Sequence, residues 1–139
     1  MANDARLGLG TVVKRGDGAA TEVFTRIDEC IQMPEIGLEN PLVDVTYTDA
    51  TAREYIAGIP DGMELDFAFN YNSADTMQAG LITDVQSRLN RNFQVTVPAA
   101  STKTLSFTLT CLKWSLETMF DKQIILHYKG KVSGSVTIA

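Results

Sequence analysis

The chain has 139 residues, of which 45% are hydrophobic, and its 12 basic and 17 acidic residues give a formal net charge of −5. That length predicts one domain with room for a proper core. No apolar run is long enough to cross a bilayer, and residues 1–10 contain Asp4 and no apolar stretch typical of a signal peptide. The acidic balance argues against tight nucleic-acid binding, which needs Lys and Arg to neutralise phosphates.

The acidic residues are concentrated in the middle of the chain. Residues 27–87 contain twelve acidic residues and one basic residue, Arg53, a net charge of −11, whereas the two flanks together carry +6. If this separation persists in the folded chain, the molecule has complementary ends. Complementary and non-identical patches are what head-to-tail association of identical subunits requires.

The first elements in chain order are a loose N-terminal arm and a hairpin. Residues 1–10 are small and polar, which predicts the arm. Residues 11–15 and 22–27 read as strands around the turn at residues 16–19, where Asp17-Gly18 is a strong hairpin signal because glycine tolerates positive φ. Residues 30–41 contain three breakers of regular structure, Pro34, Gly37 and Pro41.

A long polar excursion, residues 48–62, separates a short strand at 43–47 from a strand at 63–71. A connection of that length inside a compact domain is usually functional or disordered, and its apolar residues argue against disorder. We therefore expect this arm to contact another subunit. The residues that would make the contact are Asp49, Arg53, Glu54, Tyr55, Ile56 and Ile59.

The strand at 63–71 alternates with period 2, which is the side-chain repeat of a strand with one buried face. Large residues from Met63 to Tyr71 lie on one face, and the other face carries Glu64, Asp66 and Asn70. The outward faces predicted for the later strands are rich in Ser and Thr and contain almost no Lys or Arg. We expect such a surface to repel polyanions or to leave them unbound.

One helix is predicted, over residues 73–90. Apolar residues recur at spacings of three and four, whereas Gln78, Asp84, Gln86 and Arg88 are expected largely outside. Asn72 or Ser73 can act as the N-cap, and Asn90 is a plausible left-handed stop. The apolar stripe consists of Ala74, Met77, Leu81, Val85 and Leu89.

Strands resume after the helix, at 93–97, 105–111, 122–128 and 132–138. The alternation slips at Leu112 and Trp114, which predicts a bulge or the end of pairing. The sum is a mainly β domain, an antiparallel sandwich or barrel of about seven or eight strands with one flanking helix.

No pattern in the chain predicts a catalytic, metal or cofactor site. His127 stands inside an apolar strand, which favours a structural histidine. Cys30 and Cys111 lack metal spacing and are expected as thiols. Glu64 and Asp66 could be imagined as a glycosidase pair, but carboxylates on a strand face are far more often solvated. We therefore expect no enzymatic activity, no metal and no cofactor.

The order of these signals resembles the major tail tube proteins of long-tailed bacteriophages with flexible, non-contractile tails. The resemblance covers roughly residues 10–138. It departs from the family at Met63, where a second glycine is expected, and at residues 99–104, which are short for an insertion loop. The segments that carry it are VDVT (43–46), DATARE (49–54), IPDGMEL (59–65), the helix from Ser73, FQVTVP (93–98) and KVSGSVTI (131–138).

The resemblance implies a structural virion protein. Six subunits would close a ring, rings would stack into a tube, and DNA would pass through the bore during ejection. The arm at 48–62 would pack against the adjacent ring, and Glu64, Asp66 and Asn70 would face the lumen, with the 106–110 face as second choice. It further implies tail-tip or baseplate, tape-measure and terminator proteins as partners, with assembly in the host cytoplasm and residence in the virion tail.

Three alternatives remain open from the residues. A tube protein of a contractile tail or of type VI secretion shares the architecture, and sheath binding would separate the two. A monomeric β-sandwich binding module would need an exposed aromatic platform, and Trp114 is expected to be packed. A small hydrolase has little support in the chain.

Overall fold

The structure is a computed structural model that describes residues 7–99 and 101–139. Most of the predicted N-terminal arm therefore lies outside the described residues. The elements are β1 (Val12–Gly16), β2 (Phe24–Arg26), β3 (Cys30–Gln32), β4 (Leu38–Glu39), β5 (Leu42–Asp44), β6 (Tyr55–Ala57), β7 (Asp61–Gly62), β8 (Glu64–Asn70), α1 (Thr76–Gln86), β9 (Asn90–Val97), β10 (Lys103–Glu117) and β11 (Ile125–Ile138).

Seven strands form one antiparallel sheet in the order β2-β1-β9-β10-β11-β8-β3. The remaining strands form two small pairs, β4 with β7 and β5 with β6. The predicted mainly antiparallel β fold with one helix is confirmed. Among the described strands the large sheet stays open rather than closing into a barrel.

The large sheet folds over on itself along the hairpin of β10 and β11. In a flat sheet the register would place Phe93 and Tyr128 more than about 20 Å apart, at about 3.3 Å per residue along the strands. Their ring centroids are 6.1 Å apart. One hydrogen-bonded sheet therefore supplies two packed layers, which is how the predicted sandwich is built.

Each layer uses a different half of the long hairpin. The first layer contains β2, β1 and β9 beside residues 103–110 of β10 and 132–138 of β11. The second layer contains residues 112–117 of β10, residues 125–131 of β11, β8 and β3. The predicted slip of phase is confirmed as a register shift between Cys111 and Lys113. Opposite it Gly130 is buried, where a Cβ would stand 3.2 Å from the Leu109 side chain.

The core fills the space between the two layers. It is rich in aromatic rings, with Phe67 and Phe93 each within 6.3 Å of Tyr128 by ring centroids. Contacts between such rings stabilise the fold beyond their area of burial. The buried apolar side chains are Val13, Ile27, Leu65, Phe67, Phe69, Leu81, Phe93, Val95, Phe107, Leu109, Cys111, Leu126, Tyr128 and Val132.

The helix is shorter than predicted, because its first and last turns are used for reversals of the chain. Asp75 is the N-cap, and its carboxylate accepts a hydrogen bond from the Met77 N–H at 2.9 Å. Asn72 instead holds the preceding turn by accepting from the Ala74 N–H. At the other end Arg88 adopts the left-handed conformation with φ 58°, and the predicted stop, Asn90, is the first residue of β9.

The strands predicted at 122–128 and 132–138 are one strand, β11. Pairing with β10 runs along almost all of it, so the interruption in the apolar pattern does not interrupt the strand. A second register shift lies between Ser106 and Thr108 of β10, and Gly134, with φ 86°, absorbs the irregularity opposite it.

Candidate assembly surfaces

The predicted arm is a β-hairpin. β5 pairs with β6 through Val43 opposite Ile56, and among the described strands these two form a sheet of their own. The limits predicted for the arm, 48–62, are therefore wrong. The hairpin begins at Leu42, and β7 pairs with β4 at the base of the hairpin. We use "the arm" below for residues 42–59.

Polar contacts at the turn end hold the arm in a defined shape. The Asp44 carboxylate accepts from the Thr46 N–H at 2.9 Å, and Arg53 Nη1 donates to its other oxygen at 2.9 Å. The Thr46 hydroxyl accepts from the Glu54 N–H. Hydrogen bonds from Thr46 and Arg53 hold the pKa of Asp44 below its usual range. The arm is thus ordered before it meets any partner.

Apolar side chains of the arm are exposed on both of its faces. Because Val43 lies opposite Ile56, these two share one face, while Tyr55 belongs to the other. All six residues predicted for subunit contact lie on the arm, with Arg53 engaged by Asp44. The exposed large side chains, each 41–87% exposed, are Leu42, Val43, Val45, Tyr47, Tyr55, Ile56 and Ile59.

The base of the arm is fixed to β11 at Val132, where the strand passes from one layer to the other. Met63 O accepts from the Val132 N–H at 3.1 Å, and a Cβ on Gly62 would collide with the Val132 backbone. Pro41 O accepts from the Gly58 N–H at 2.7 Å, so the two ends of the arm lie side by side. The arm therefore projects from a rigid base.

The outward face of the second layer carries carboxylates paired with lysines. Glu64 and Asp66 are exposed as predicted, and they lie opposite Lys131 and Lys129 of β11. Lys129 Nζ stands 2.9 Å from Glu64 Oε2, and the hydrogen bond it donates holds the pKa of Glu64 below its usual range. The expectation of a face almost without Lys is wrong for this strand pair, because β11 supplies the lysines that β8 lacks.

Asn70, the third residue predicted on this face, ends β8 beside the helix and is only partly exposed. Its carbonyl accepts from Gln78 Nε2 at 2.9 Å. Asn70 therefore links the sheet to the helix, at the opposite end of β8 from Glu64.

An open trough of about 530 Å³ crosses the same outward face. His127 lies there, exposed, with Nε2 3.5 Å from Glu117 Oε2. Ser115 is its register partner on β10. A single exposed contact at this distance lacks the hydrogen-bonded order of a catalytic triad. The polar residues that line the trough are Gln32, Asp66, Lys113, Ser115, His127 and Lys129.

Two polar side chains that were expected on the solvent-facing side of the helix are buried. Asp84 is 1% exposed and accepts from Arg15 Nε at 2.7 Å and Arg91 Nη2 at 2.8 Å. Gln78 Oε1 accepts from the Asn72 N–H at 2.9 Å. Burial alone would raise the pKa of Asp84, but the two arginines outweigh it and hold that pKa below its usual range. These contacts attach the helix to the sheet.

The two cysteines are free thiols, as expected. Cys111 accepts a hydrogen bond from the Tyr128 hydroxyl at 2.9 Å, and burial raises the pKa of both groups. In residues 7–99 and 101–139 no group of three or more His, Cys, Asp or Glu side chains is placed to hold a metal ion. None of the helices in the described part of the chain has the length and apolar character needed to cross a membrane.

The chain thus combines a folded-over antiparallel sheet, one anchored helix and an ordered arm whose apolar side chains are exposed. The chain belongs to the Phage tail tube protein family, which it matches over residues 6–128, and it is a structural tail tube protein. The suspected resemblance is therefore confirmed.

Solved structures of the same fold come from several tail-like assemblies. The chain is similar to a component of the tail of an empty GTA (gene transfer agent) particle at 17% identity and TM-score 0.79, covering 97% of this chain and 99% of that one. A component of the anti-feeding prophage baseplate has 7% identity and TM-score 0.75, covering 100% and 97%. The SPP1 tail tube has 10% identity and TM-score 0.66, covering 92% and 75%. A search of curated proteins gave no sequence match.

Proposed function

We propose that this tail tube protein closes into hexameric rings, that the rings stack into the tube, and that phage DNA passes through the bore into the host. The observation that carries the proposal is the arm, an ordered hairpin with seven large apolar side chains exposed. Exposed apolar surface of this extent marks an interaction site. Six-fold symmetry is named for the similar GTA tail and anti-feeding prophage baseplate structures, and this supports a six-membered ring.

The two margins of the second layer support the proposed closure of the ring. β3 is one margin, and it pairs on one side only, with β8. The other margin is residues 112–117 of β10, which pair with β11, while β9 pairs only with residues 103–110. Unpaired strand edges readily pair with another chain. In the proposed ring, β3 of one subunit pairs with residues 112–117 of its neighbour, and the second layers join into a continuous barrel.

In that barrel the outward face of the second layer lines the bore. Glu64 and Asp66 then face the passing DNA, with Asn70 at the far end of the same strand. Lys113, Lys129 and Lys131 share this face with the carboxylates and largely neutralise them, so phosphates are neither strongly repelled nor strongly bound. Such a surface allows DNA to slide without binding.

The proposed role is structural rather than enzymatic. The tube would be assembled in the host cytoplasm on tail-tip or baseplate proteins, around a tape-measure protein, and closed by a terminator. Binding of a contractile sheath by the finished tube would favour the alternative, a contractile-tail tube.

Excision of the arm tests stacking. Because Pro41 and Gly58 are hydrogen-bonded neighbours, residues 42–57 can be replaced by a short Gly-Ser linker with little disturbance of the base. We expect an unchanged circular dichroism spectrum and ring formation, with stacked tubes missing in negative-stain electron microscopy. Tubes as abundant as those of the wild type would contradict the role of the arm.

Reversal of charge tests the lining of the bore. The double variant Glu64→Lys with Asp66→Lys should assemble but deliver DNA poorly, because added cations bind phosphates. Infectivity of a phage complemented with the variant measures the effect. The control is Glu35→Lys with Glu39→Lys, which makes the same charge change outside this face. Equal infectivity of the two double variants would refute the lumen assignment.

A further inference from the structure

A second apolar projection lies at the other end of the second layer. It comprises the end of β10 and the turn that leads to β11, residues 116–124, called here the tip. Phe120 is fully exposed at 111% of its reference area, and three further large side chains of the tip are between 38% and 49% exposed. These are Leu116, Met119 and Ile124. Such a cluster on a monomer's surface indicates an interaction site.

The arm and the tip stand at opposite ends of the same strands. β8 begins at Glu64, next to the base of the arm and opposite Lys131. It ends at Asn70, opposite Ile125, the residue that directly follows the tip. At about 3.3 Å per residue the two ends are roughly 20 Å apart along the strand direction. Translation of a second copy along this direction would bring its arm towards the tip of the first.

We propose that the tip is the docking site for the arm of a second copy of this chain in the next ring. The inference rests on the proposed ring stacking and adds the surface that receives the arm. Phe120 is the central anchor, since aromatic side chains at the centre of an interface carry most of the binding energy. The contact is heterologous, because the patch on one copy differs from the patch on the other.

The exposed area is sufficient for such a contact. The apolar surface of the arm and the tip together is on the order of 1,000 Å², close to what a standard protein interface buries in total. The arm is already ordered by the Asp44 contacts, so little conformational freedom is lost on docking. Both faces of the arm carry exposed apolar side chains. The arm can therefore insert between the tips of two neighbouring subunits, with one face against each.

Replacement of the anchor separates this inference from the proposed function. The Phe120→Asp variant should form rings but about tenfold fewer stacked tubes than the wild type in negative-stain electron microscopy, as expected when an aromatic anchor is lost. The control is Ile138→Asp at the end of β11, which removes a side chain that is 67% exposed but lies in the first layer. The control should stack normally.

Disulfide trapping supplies a second readout. Protein carrying Ile56→Cys is mixed with protein carrying Met119→Cys, which keeps Phe120, both in a Cys30→Ser background, and oxidised mildly. We expect a disulfide-linked dimer from this mixture and none from Ile56→Cys mixed with Ile138→Cys.

The tip assignment would be overturned if Phe120→Asp formed normal tubes. It would also be overturned if the mixed cysteine variants assembled into tubes like those of the wild type but gave no disulfide-linked dimer. Either result would leave ring stacking intact. A wild-type protein that never forms rings or tubes would overturn both.

Discussion

The helix and the arm place their side chains in opposite ways. Helix α1 buries Gln78 and Asp84, two polar residues, whereas the arm exposes Tyr55 and Ile56. In the helix each buried polar group finds partners in the same chain, with two arginines at Asp84. In the arm Asp44 is paired with Thr46 and Arg53, and the apolar side chains are left uncovered.

This contrast separates folding from assembly. A buried carboxylate requires partners at the moment of folding, because an unpaired buried charge is strongly unfavourable. An exposed apolar side chain lets the subunit fold and gains stability only when another chain covers it. The helix is therefore part of the folded monomer, whereas in the proposed tube the arm gains its stabilisation from other subunits.

The largest effect on folding is expected at Asp84. The Asp84→Ala variant leaves Arg15 and Arg91 without their buried partner and should lose about 3–5 kcal/mol of unfolding free energy. Urea unfolding followed by circular dichroism measures the loss. The control, Arg53→Ala, removes an exposed ion pair and should leave the midpoint nearly unchanged. Equal midpoints for the two variants would contradict the buried anchor.

A smaller effect is expected from pH. The pKa of Asp84 is lower in the folded chain than in the unfolded chain, so its ion pairs stabilise the fold above the unfolded pKa. This contribution is lost as the pH falls below about 4, through the lower folded pKa. The wild type should thus lose its stability advantage over Asp84→Asn in acid. Urea midpoints measured from pH 6 down to pH 2 would reveal a constant gap if Asp84 were not responsible.

The smallest effect on folding is expected in the arm. The Ile56→Asp variant should keep the wild-type urea midpoint, since the side chain is 55% exposed, yet it should reduce stacking of rings. Val23→Asp is the matched control, at 59% exposure on the loop before β2, and should change neither. A large drop in the urea midpoint for Ile56→Asp would show that the arm packs against its own subunit. The difference drawn here between the helix and the arm would then be wrong.

The sequence predicts the apolar side of this molecule well. The alternation of Leu65, Phe67 and Phe69 identifies the buried face of β8, and the slip at Leu112 identifies the bulge in β10. Both follow from local periodicity, which depends on the strand alone. The exposed apolar side chains of the arm could also be predicted, because apolar residues in a long connection far from regular strands are seldom covered by their own subunit.

The partners of the polar side chains depend on contacts between residues distant in sequence, and the sequence alone does not predict them. Asp84 looks like an outward-facing helix residue until Arg15, 69 positions earlier, is brought against it. The carboxylates of β8 look unopposed until the register of β11 places Lys129 beside them. Nothing in local spacing reports such pairings, so the buried ion cluster and the mixed charge of the second layer appear only in three dimensions.

The shared hairpin has a mechanical consequence. Because β10 and β11 run through both layers, neither layer can slip over the other without breaking backbone hydrogen bonds of the hairpin. Two separate sheets held by side chains alone would resist such shear only through packing. A wall built from this subunit would keep its thickness and inner diameter under the pressure of whatever travels along it.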